Sequence, residues 1–105
     1  MVIEDLHFPE DPKQAIVNGF RRAELELLNE LKKGAKDKNH VKDRSGSCAL
    51  FVMMVNKRCY VANVGDSRAI LSSHNGNIIY NVTKDHKPNM NTEKERIEMS
   101  GGKVY

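Results

Sequence analysis

The sequence predicts an α+β fold with the order helix, four-strand antiparallel meander, short helix. Apolar residues recur at helical spacing in the first third of the chain, four short strand-like runs alternate with turn signals at about residues 48–83, and a second helix start follows. A chain of 105 residues is sufficient for one small domain and too short for two independent cores. One α+β unit over residues 1–105 is therefore expected.

The first helix is predicted at about residues 12–33. Asp11 is placed to cap its N-terminus, Pro12 suits the first helical position, and Gln14 can return the capping-box hydrogen bond. The apolar stripe consists of Ile16, Phe20, Ala23, Leu27 and Leu31. Residues 34–47 are polar and show no period, which predicts a surface loop after the helix.

The predicted strands follow one another with short turns between them, so neighbouring strands should pair antiparallel. Eight consecutive apolar residues begin at Cys48, and this first strand has no polar face to offer to solvent. The pair Asn75-Gly76 is a strong hairpin signal because both residues tolerate positive φ. The four predicted ranges are 48–55, 58–64, 68–73 and 78–83.

The second helix is predicted at about residues 92–100. Thr92 and Glu95 have the spacing of a capping box, and Gly101-Gly102 can end the helix. Two helices do not cover both faces of an apolar sheet. We therefore expect an uncovered apolar face, self-association of the chain, and membership of a larger domain.

Charge and composition exclude some functions. The net charge of +3 comes from interspersed signs, and the basic residues of segment 32–44 have no aromatic neighbour to stack a base, so nucleic-acid binding is the weaker alternative. No apolar run approaches the roughly 20 residues of a membrane span, and the acidic N-terminus is unlike a secretory signal. A cytoplasmic or nuclear, non-secreted protein is expected, with Cys48 and Cys59 as reduced, buried thiols.

The candidate functional residues lie at a tight corner between two apolar runs, Gly65-Asp66-Ser67-Arg68. A carboxylate at a strand end suits a hard cation such as Mg²⁺ or Mn²⁺, but without its neighbouring sequence Asp66 is better interpreted as an ordinary turn aspartate that accepts backbone N–H bonds. Asp85-His86 could transfer protons or bind metal, but a loop contact is favoured because adjacent side chains of an extended chain point apart. The cysteines and histidines lack zinc-site spacing.

Four blocks of the sequence are informative when they are taken together. They are Ser45-Gly46-Ser47-Cys48-Ala49, Tyr60-Val61-Ala62-Asn63-Val64-Gly65-Asp66-Ser67-Arg68-Ala69, Asp85-His86-Lys87-Pro88, and Glu95-Arg96-Ile97 with Gly101-Gly102-Lys103-Val104. In this order and spacing they resemble the type 2C, metal-dependent protein serine/threonine phosphatases. Cys48 stands where that family more usually has threonine.

The resemblance implies a four-layer sandwich of two antiparallel sheets flanked by helices. It also implies hydrolysis of phosphoserine and phosphothreonine in a phosphoprotein substrate, with two Mg²⁺ or Mn²⁺ ions activating water. By position, Asp66 corresponds to an accessory ligand of a third metal, and Gly65, Ser67 and Arg68 form the structural signature around it.

The sequence departs from the family pattern in what it lacks. The Asp-Gly-His-Gly-Gly motif, the later Asp-Gly and Asp-Asn motifs that complete the metal pair, and an N-terminal phosphate-binding arginine are not in it. Residues 1–105 are accordingly expected to be a partial catalytic domain from the middle of a phosphatase, which by itself is inactive and binds no metal tightly. The alternative is a non-catalytic, phosphatase-like interaction or regulatory module.

Overall fold

The computed structural model of the chain describes residues 1–33 and 43–105. The α+β class and the predicted order of elements are confirmed: α1 (Pro12–Lys33), β1 (Ala49–Val55), β2 (Arg58–Val64), β3 (Ile70–Ser73), β4 (Ile78–Asn81) and α2 (Asn91–Met99). Of the predicted loop 34–47, residues 34–42 lie outside the described residues. Residues 43–48 are described and have no regular secondary structure. None of the described helices is both long enough and apolar enough to cross a membrane.

The chain divides into two compact units. The first consists of residues 1–46 and 53–60, and the second of residues 47–52 and 61–105. The turn of the β1–β2 hairpin thus belongs to the first unit, and its open end belongs to the second. α1 lies in the first unit, whereas β3, β4 and α2 lie in the second.

The N-terminus of α1 is capped as predicted, but the return bond of the capping box is absent. Asp11 Oδ1 accepts the backbone N–H of Gln14 at 3.1 Å. The backbone N–H of Asp11 donates to the carbonyl oxygen of His7 at 2.6 Å, so it is already satisfied. The Gln14 side chain instead donates to Asn18 Oδ1 at 2.9 Å. The predicted role of Gln14 was therefore wrong.

The core of the first unit lies under the N-terminal half of α1. Its buried residues there are Pro12, Ala15, Ile16 and Gly19. A Cβ at Gly19 would lie 2.8 Å from Cγ2 of Val2, so the N-terminal segment packs directly on the helix backbone. The predicted apolar stripe is covered only in this half, since Leu27 remains 37% exposed.

A polar cluster fixes the N-terminal segment beside this core. Asp5 Oδ1 accepts the backbone N–H of His7 at 2.9 Å and lies 2.8 Å from His7 Nδ1. Asp5 Oδ2 accepts Asn18 Nδ2 at 3.1 Å. The backbone and side-chain hydrogen bonds from His7 lower the pKa of Asp5 below its ordinary value. Segment and helix are thus joined by both apolar packing and a carboxylate.

The four strands form two two-stranded antiparallel sheets, β1–β2 and β3–β4, which agrees with the predicted antiparallel α+β class, and β2 and β3 do not pair with each other. In the second sheet Ile70 pairs with Asn81 and Ser73 with Ile78. The break between the two sheets begins at Gly65, directly after β2, where the backbone has φ +108°. β3 begins two residues later than its predicted range 68–73, and β4 ends two residues earlier than its predicted range 78–83.

Strand β1 alternates in burial, although its sequence is apolar throughout. Phe51, Met53 and Val55 are half-buried, whereas Val52 and Met54 are exposed. The expected uncovered apolar face is therefore confirmed, and cover on both faces is absent within the described residues. For the same reason Cys48 and Cys59 are free but exposed, which corrects the prediction of buried thiols.

The turn between β3 and β4 forms where the Asn-Gly pair predicted it. His74, Asn75 and Gly76 all have positive φ, at 52°, 55° and 87°. The backbone N–H of Gly76 donates to Ser73 O and that of Asn77 to His74 O, both at 3.2 Å. Asparagine and glycine tolerate this backbone region better than other residues, which explains their position here.

The C-terminus of α2 is closed by the two predicted glycines. Gly101 has φ +82°, and its N–H donates to Glu98 O at 3.0 Å. The N–H of Gly102 donates to Ile97 O at 2.9 Å, which completes a Schellman motif after the C-cap residue Ser100. A Cβ at Gly102 would lie 3.1 Å from Ile97 O, so the second glycine also permits a close backbone approach.

The N-terminus of α2 differs from the prediction. The N-cap residue is Met90, which makes no side-chain cap, and the helix begins at Asn91 instead of Thr92. Met90 N–H donates to Lys87 O at 2.9 Å, and Met90 O accepts Lys94 N–H at 2.8 Å. This preceding turn starts the helical rotation early, so Thr92 lies inside the helix and cannot cap it.

Candidate functional site

The Gly65–Asp66 corner lies directly after β2, in the second unit. A Cβ built on Gly65 would lie 2.4 Å from the sulfur of Cys48 and 3.2 Å from its Cα. Together with the φ of +108°, this contact leaves room for glycine alone. The identity of residue 65 is thus determined by both backbone conformation and packing, and it places Asp66 at the exit of the strand.

The corner is bonded to a segment 20 residues further along the chain, which unites two of the sequence blocks. The backbone N–H of His86 donates to Gly65 O at 3.0 Å. The Gly65 N–H donates to His86 Nδ1 at 3.4 Å. Asn63 Nδ2 donates to Gly65 O at 3.1 Å and to Lys84 O at 3.3 Å. Both the N–H and the carbonyl group of Gly65 are therefore hydrogen-bonded, which constrains the backbone that leads into Asp66.

Arg68 and Asp85 form a second connection between the same segments. Arg68 Nε donates to Asp85 Oδ1 at 3.0 Å, and Nη2 donates to Oδ2 at 2.7 Å. Lys87 Nζ lies 3.4 Å from the same Oδ2. The bidentate bonds from Arg68 lower the pKa of Asp85 and raise that of Arg68.

Asp85 and His86 do not act on each other. Asp85 is directed to Arg68, and its side chain is only 12% exposed. His86 is directed to Gly65 through both its backbone and its ring. The interpretation of this pair as loop contacts is confirmed, and the two side chains do not form a proton-transfer dyad.

The Asp66 carboxylate is exposed. Its Oδ1 accepts a hydrogen bond from the Cys48 thiol at 3.3 Å. A thiol is a weak donor, so it competes little with a cation for the carboxylate. Within residues 1–33 and 43–105, no group of three His, Cys, Asp or Glu side chains is close enough to hold a metal ion. Asp66 therefore offers one hard ligand, which by itself does not form a complete metal centre among these residues.

Two contacts of this site were not foreseen from the sequence. Asn63 joins the corner to Lys84, and Cys48 contacts both Gly65 and Asp66. Asparagine is unusual within a strand, so Asn63 offered a local signal. Cys48 offered none, because its contact joins residues 18 positions apart. Ser67 is half-buried, and its hydroxyl forms no hydrogen bond within the described part of the chain.

An exposed carboxylate on a glycine corner of an α+β chain is compatible with the comparison to known families. Residues 3–105 match the sequence profile of the family described as Protein phosphatase 2C. The chain therefore belongs to the protein phosphatase 2C family. No solved structure matches the chain.

Individual relatives show the same similarity. Probable protein phosphatase 2C 27 of Arabidopsis thaliana is 38% identical over 104 residues, which are 99% of this chain and 25% of that protein. Protein phosphatase 1B of Homo sapiens is 43% identical over 89 residues, 85% of this chain and 18% of that protein. Probable protein phosphatase 2C 45 of Oryza sativa subsp. japonica is 39% identical over 97 residues, 92% of this chain and 31% of that protein. The matched part of the chain thus spans between 18% and 31% of the length of these relatives.

Proposed function

We propose that this chain forms part of a metal-dependent protein serine/threonine phosphatase, which hydrolyses phosphoserine and phosphothreonine as a complete catalytic domain. The observation that carries the proposal is the bonding of Gly65 to His86, which joins two family motifs into one corner with Asp66 at its tip. Membership of the protein phosphatase 2C family supports the reaction class. The substrate is then a phosphoprotein.

Asp66 is proposed as an accessory ligand for Mg²⁺ or Mn²⁺. Bound divalent cations supply a water of lowered pKa and stabilise the charge of the transferring phosphoryl group. The contribution of Asp66 is one exposed carboxylate on a constrained backbone, and within residues 1–33 and 43–105 its competing partner is only the Cys48 thiol. Gly65 and Arg68 position it, the first through its backbone and the second through Asp85.

By itself the chain is proposed to be inactive. The sequence lacks the carboxylate motifs that would complete a metal pair, and Asp66 has no second carboxylate grouped with it among the described residues. The test is hydrolysis of p-nitrophenyl phosphate with Mn²⁺. No turnover above a metal-only control is expected, and turnover above it would contradict the proposal of inactivity.

A longer form of the protein that contains the further motifs tests the enzyme function. It should hydrolyse p-nitrophenyl phosphate, and Asp66→Asn should lower the rate at limiting Mn²⁺ more than at saturating Mn²⁺, because the loss is one of metal affinity. Glu95→Gln, which removes an exposed carboxylate of α2, is the matched control and should leave the rate unchanged. An inactive longer form would contradict the enzyme proposal.

The second candidate is a non-catalytic interaction module, and the exposed apolar side chains of the strands favour it. Val52, Met54 and Ile79 are 56%, 66% and 62% exposed. Apolar surface of this kind promotes association, so the chain should self-associate. Sedimentation velocity over a range of concentrations tests this, and a compact monomer at high concentration would contradict it. Activity of the longer form separates the two candidates.

A further inference from the structure

A groove in the first unit lies between the N-terminal segment and the β1–β2 turn, apart from the residues of the Asp66 corner. Its volume is about 520 Å³. Pro9, Pro12, Val55 and Tyr60 supply its apolar part, and Lys57 and Arg58 supply cations. None of these side chains has a part in the proposed function.

Regular secondary structure holds the apolar side chains of the groove in place. Pro12 is buried at the first turn of α1, Val55 is half-buried as the last residue of β1, and Tyr60 is half-buried near the start of β2. Proline and tyrosine offer a large contact area with few rotatable bonds, so an apolar side chain binds there at a low entropic cost. The groove can therefore hold one hydrophobic anchor.

The rim of the groove is positively charged. Lys57 and Arg58 are both exposed, and neither forms an ion pair within residues 1–33 and 43–105. Glu10 is the acidic side chain among the lining residues, so the two cations outnumber it. Asn56, with φ +53°, makes the tight turn that brings these two cations to the edge of the groove.

We propose that this groove docks an acidic peptide segment of the phosphoprotein substrate, in which a hydrophobic side chain is flanked by carboxylates. The anchor would lie against Pro9 and Tyr60, and the carboxylates would pair with Lys57 and Arg58. Arg58 can bind a carboxylate in a bidentate manner. Such charge complementarity selects partners and speeds association. The identity of the occupant as substrate rests on the proposed function.

The direct test is fluorescence anisotropy of a fluorescein-labelled glutamate-rich peptide with one central leucine, titrated with the 105-residue chain. Lys57→Glu with Arg58→Glu should weaken binding by about tenfold or more, because two attractive charges become repulsive. Lys32→Glu with Lys33→Glu makes the same charge change at the exposed end of α1 and should alter binding less than about twofold. Replacing the leucine by glycine should also weaken binding.

Three results would overturn the proposal. Equal loss of binding in both double variants would indicate non-specific attraction, and unchanged binding in the groove variant would place the peptide elsewhere. If the groove variant abolished self-association of the chain and the peptide competed with it, the occupant would be a second copy. The peptide titration requires no turnover, so its failure is distinct from failure of the enzyme proposal.

The longer form connects the groove to the substrate. There the groove variant should leave turnover of p-nitrophenyl phosphate unchanged, because that compound has no peptide to dock. It should raise KM for an acidic phosphopeptide severalfold with little change in kcat, since uniform binding is lost. An unchanged KM for the phosphopeptide would contradict a role in substrate docking.

Discussion

The two units of this chain differ in the interactions that stabilise each of them internally. In the first unit the N-terminal segment and α1 bury apolar side chains, among them Ala15 and Ile16 at 0% and 5% exposure. In the second unit no described residue is buried, and Gly65, Arg68 and their partners are joined by hydrogen bonds. Apolar burial is the main source of folding free energy, whereas such hydrogen bonds add little net stability and much geometric precision. The first unit therefore supplies stability, and the second supplies the geometry of the site.

The largest expected effect is loss of burial in the first unit. Ile16→Ala should lower the free energy of unfolding by about 2–5 kcal/mol, because it empties a covered position under the N-terminal segment. Leu25→Ala removes a leucine of the same helix that is 61% exposed and should change stability by less than about 0.5 kcal/mol. Urea denaturation measures both. Equal effects would contradict the placement of the core.

The next effect concerns the corner of the second unit. Gly65→Ala should cost about 1–3 kcal/mol, since it adds backbone strain and a Cβ against the Cys48 sulfur. Gly76→Ala also introduces strain at positive φ, but its Cβ would meet nothing closer than 3.9 Å, so it should cost less. Chemical denaturation ranks the two variants. A larger loss for Gly76→Ala would show that packing on Cys48 is unimportant.

A smaller effect is expected at the helix starts. Asp11→Ala should cost about 1 kcal/mol, because the Gln14 N–H loses its partner. Thr92→Ala should be nearly neutral, since Met90 occupies the N-cap position of α2 and no side chain caps it. Circular dichroism during denaturation gives both values. A cost at Thr92 equal to that at Asp11 would restore the capping box predicted from the sequence.

The smallest effect is pH dependence from the Arg68–Asp85 pair. The pKa of Asp85 is lower in the folded chain than its ordinary value, so the pair stabilises the fold above that ordinary value. This contribution should disappear as the pH falls through the lowered pKa. Wild type should therefore begin to lose its stability advantage over Asp85→Asn as the pH falls below about 5, and should continue to lose it as the pH falls through the lowered pKa. Against wild type, Thr92→Ala, which removes no titratable group, should show no such trend, and an equal trend in both variants would exclude the pair as its cause.

The difference between local and long-range contacts explains what the sequence could predict. The start of α1 and the turn at Asn75-Gly76 depend on local capping and positive φ, and both were predicted correctly. Thr92 was misassigned because the turn from Lys87 to Met90 starts the helix one residue earlier. Such competition between neighbouring hydrogen bonds is not visible in a capping pattern.

The site was predictable only in part, for a related reason. Gly65, Asp66 and Arg68 were recognised because each has an unusual local requirement or a family resemblance. The bonding of Gly65 to His86 and the contact with Cys48 join residues about 20 positions apart, and no periodicity encodes them.

The most direct test of the Asp66 corner is paramagnetic broadening by Mn²⁺ in NMR spectra of the isotope-labelled chain. Broadening detects weak binding, so it suits a lone accessory carboxylate. We predict that the amide signals of Gly65, Asp66 and Ser67 broaden first as Mn²⁺ is added, and that Asp66→Asn removes this effect while Glu95→Gln retains it. Broadening that centres on other carboxylates, or that persists in Asp66→Asn, would contradict the assignment of Asp66 as the metal-directed group.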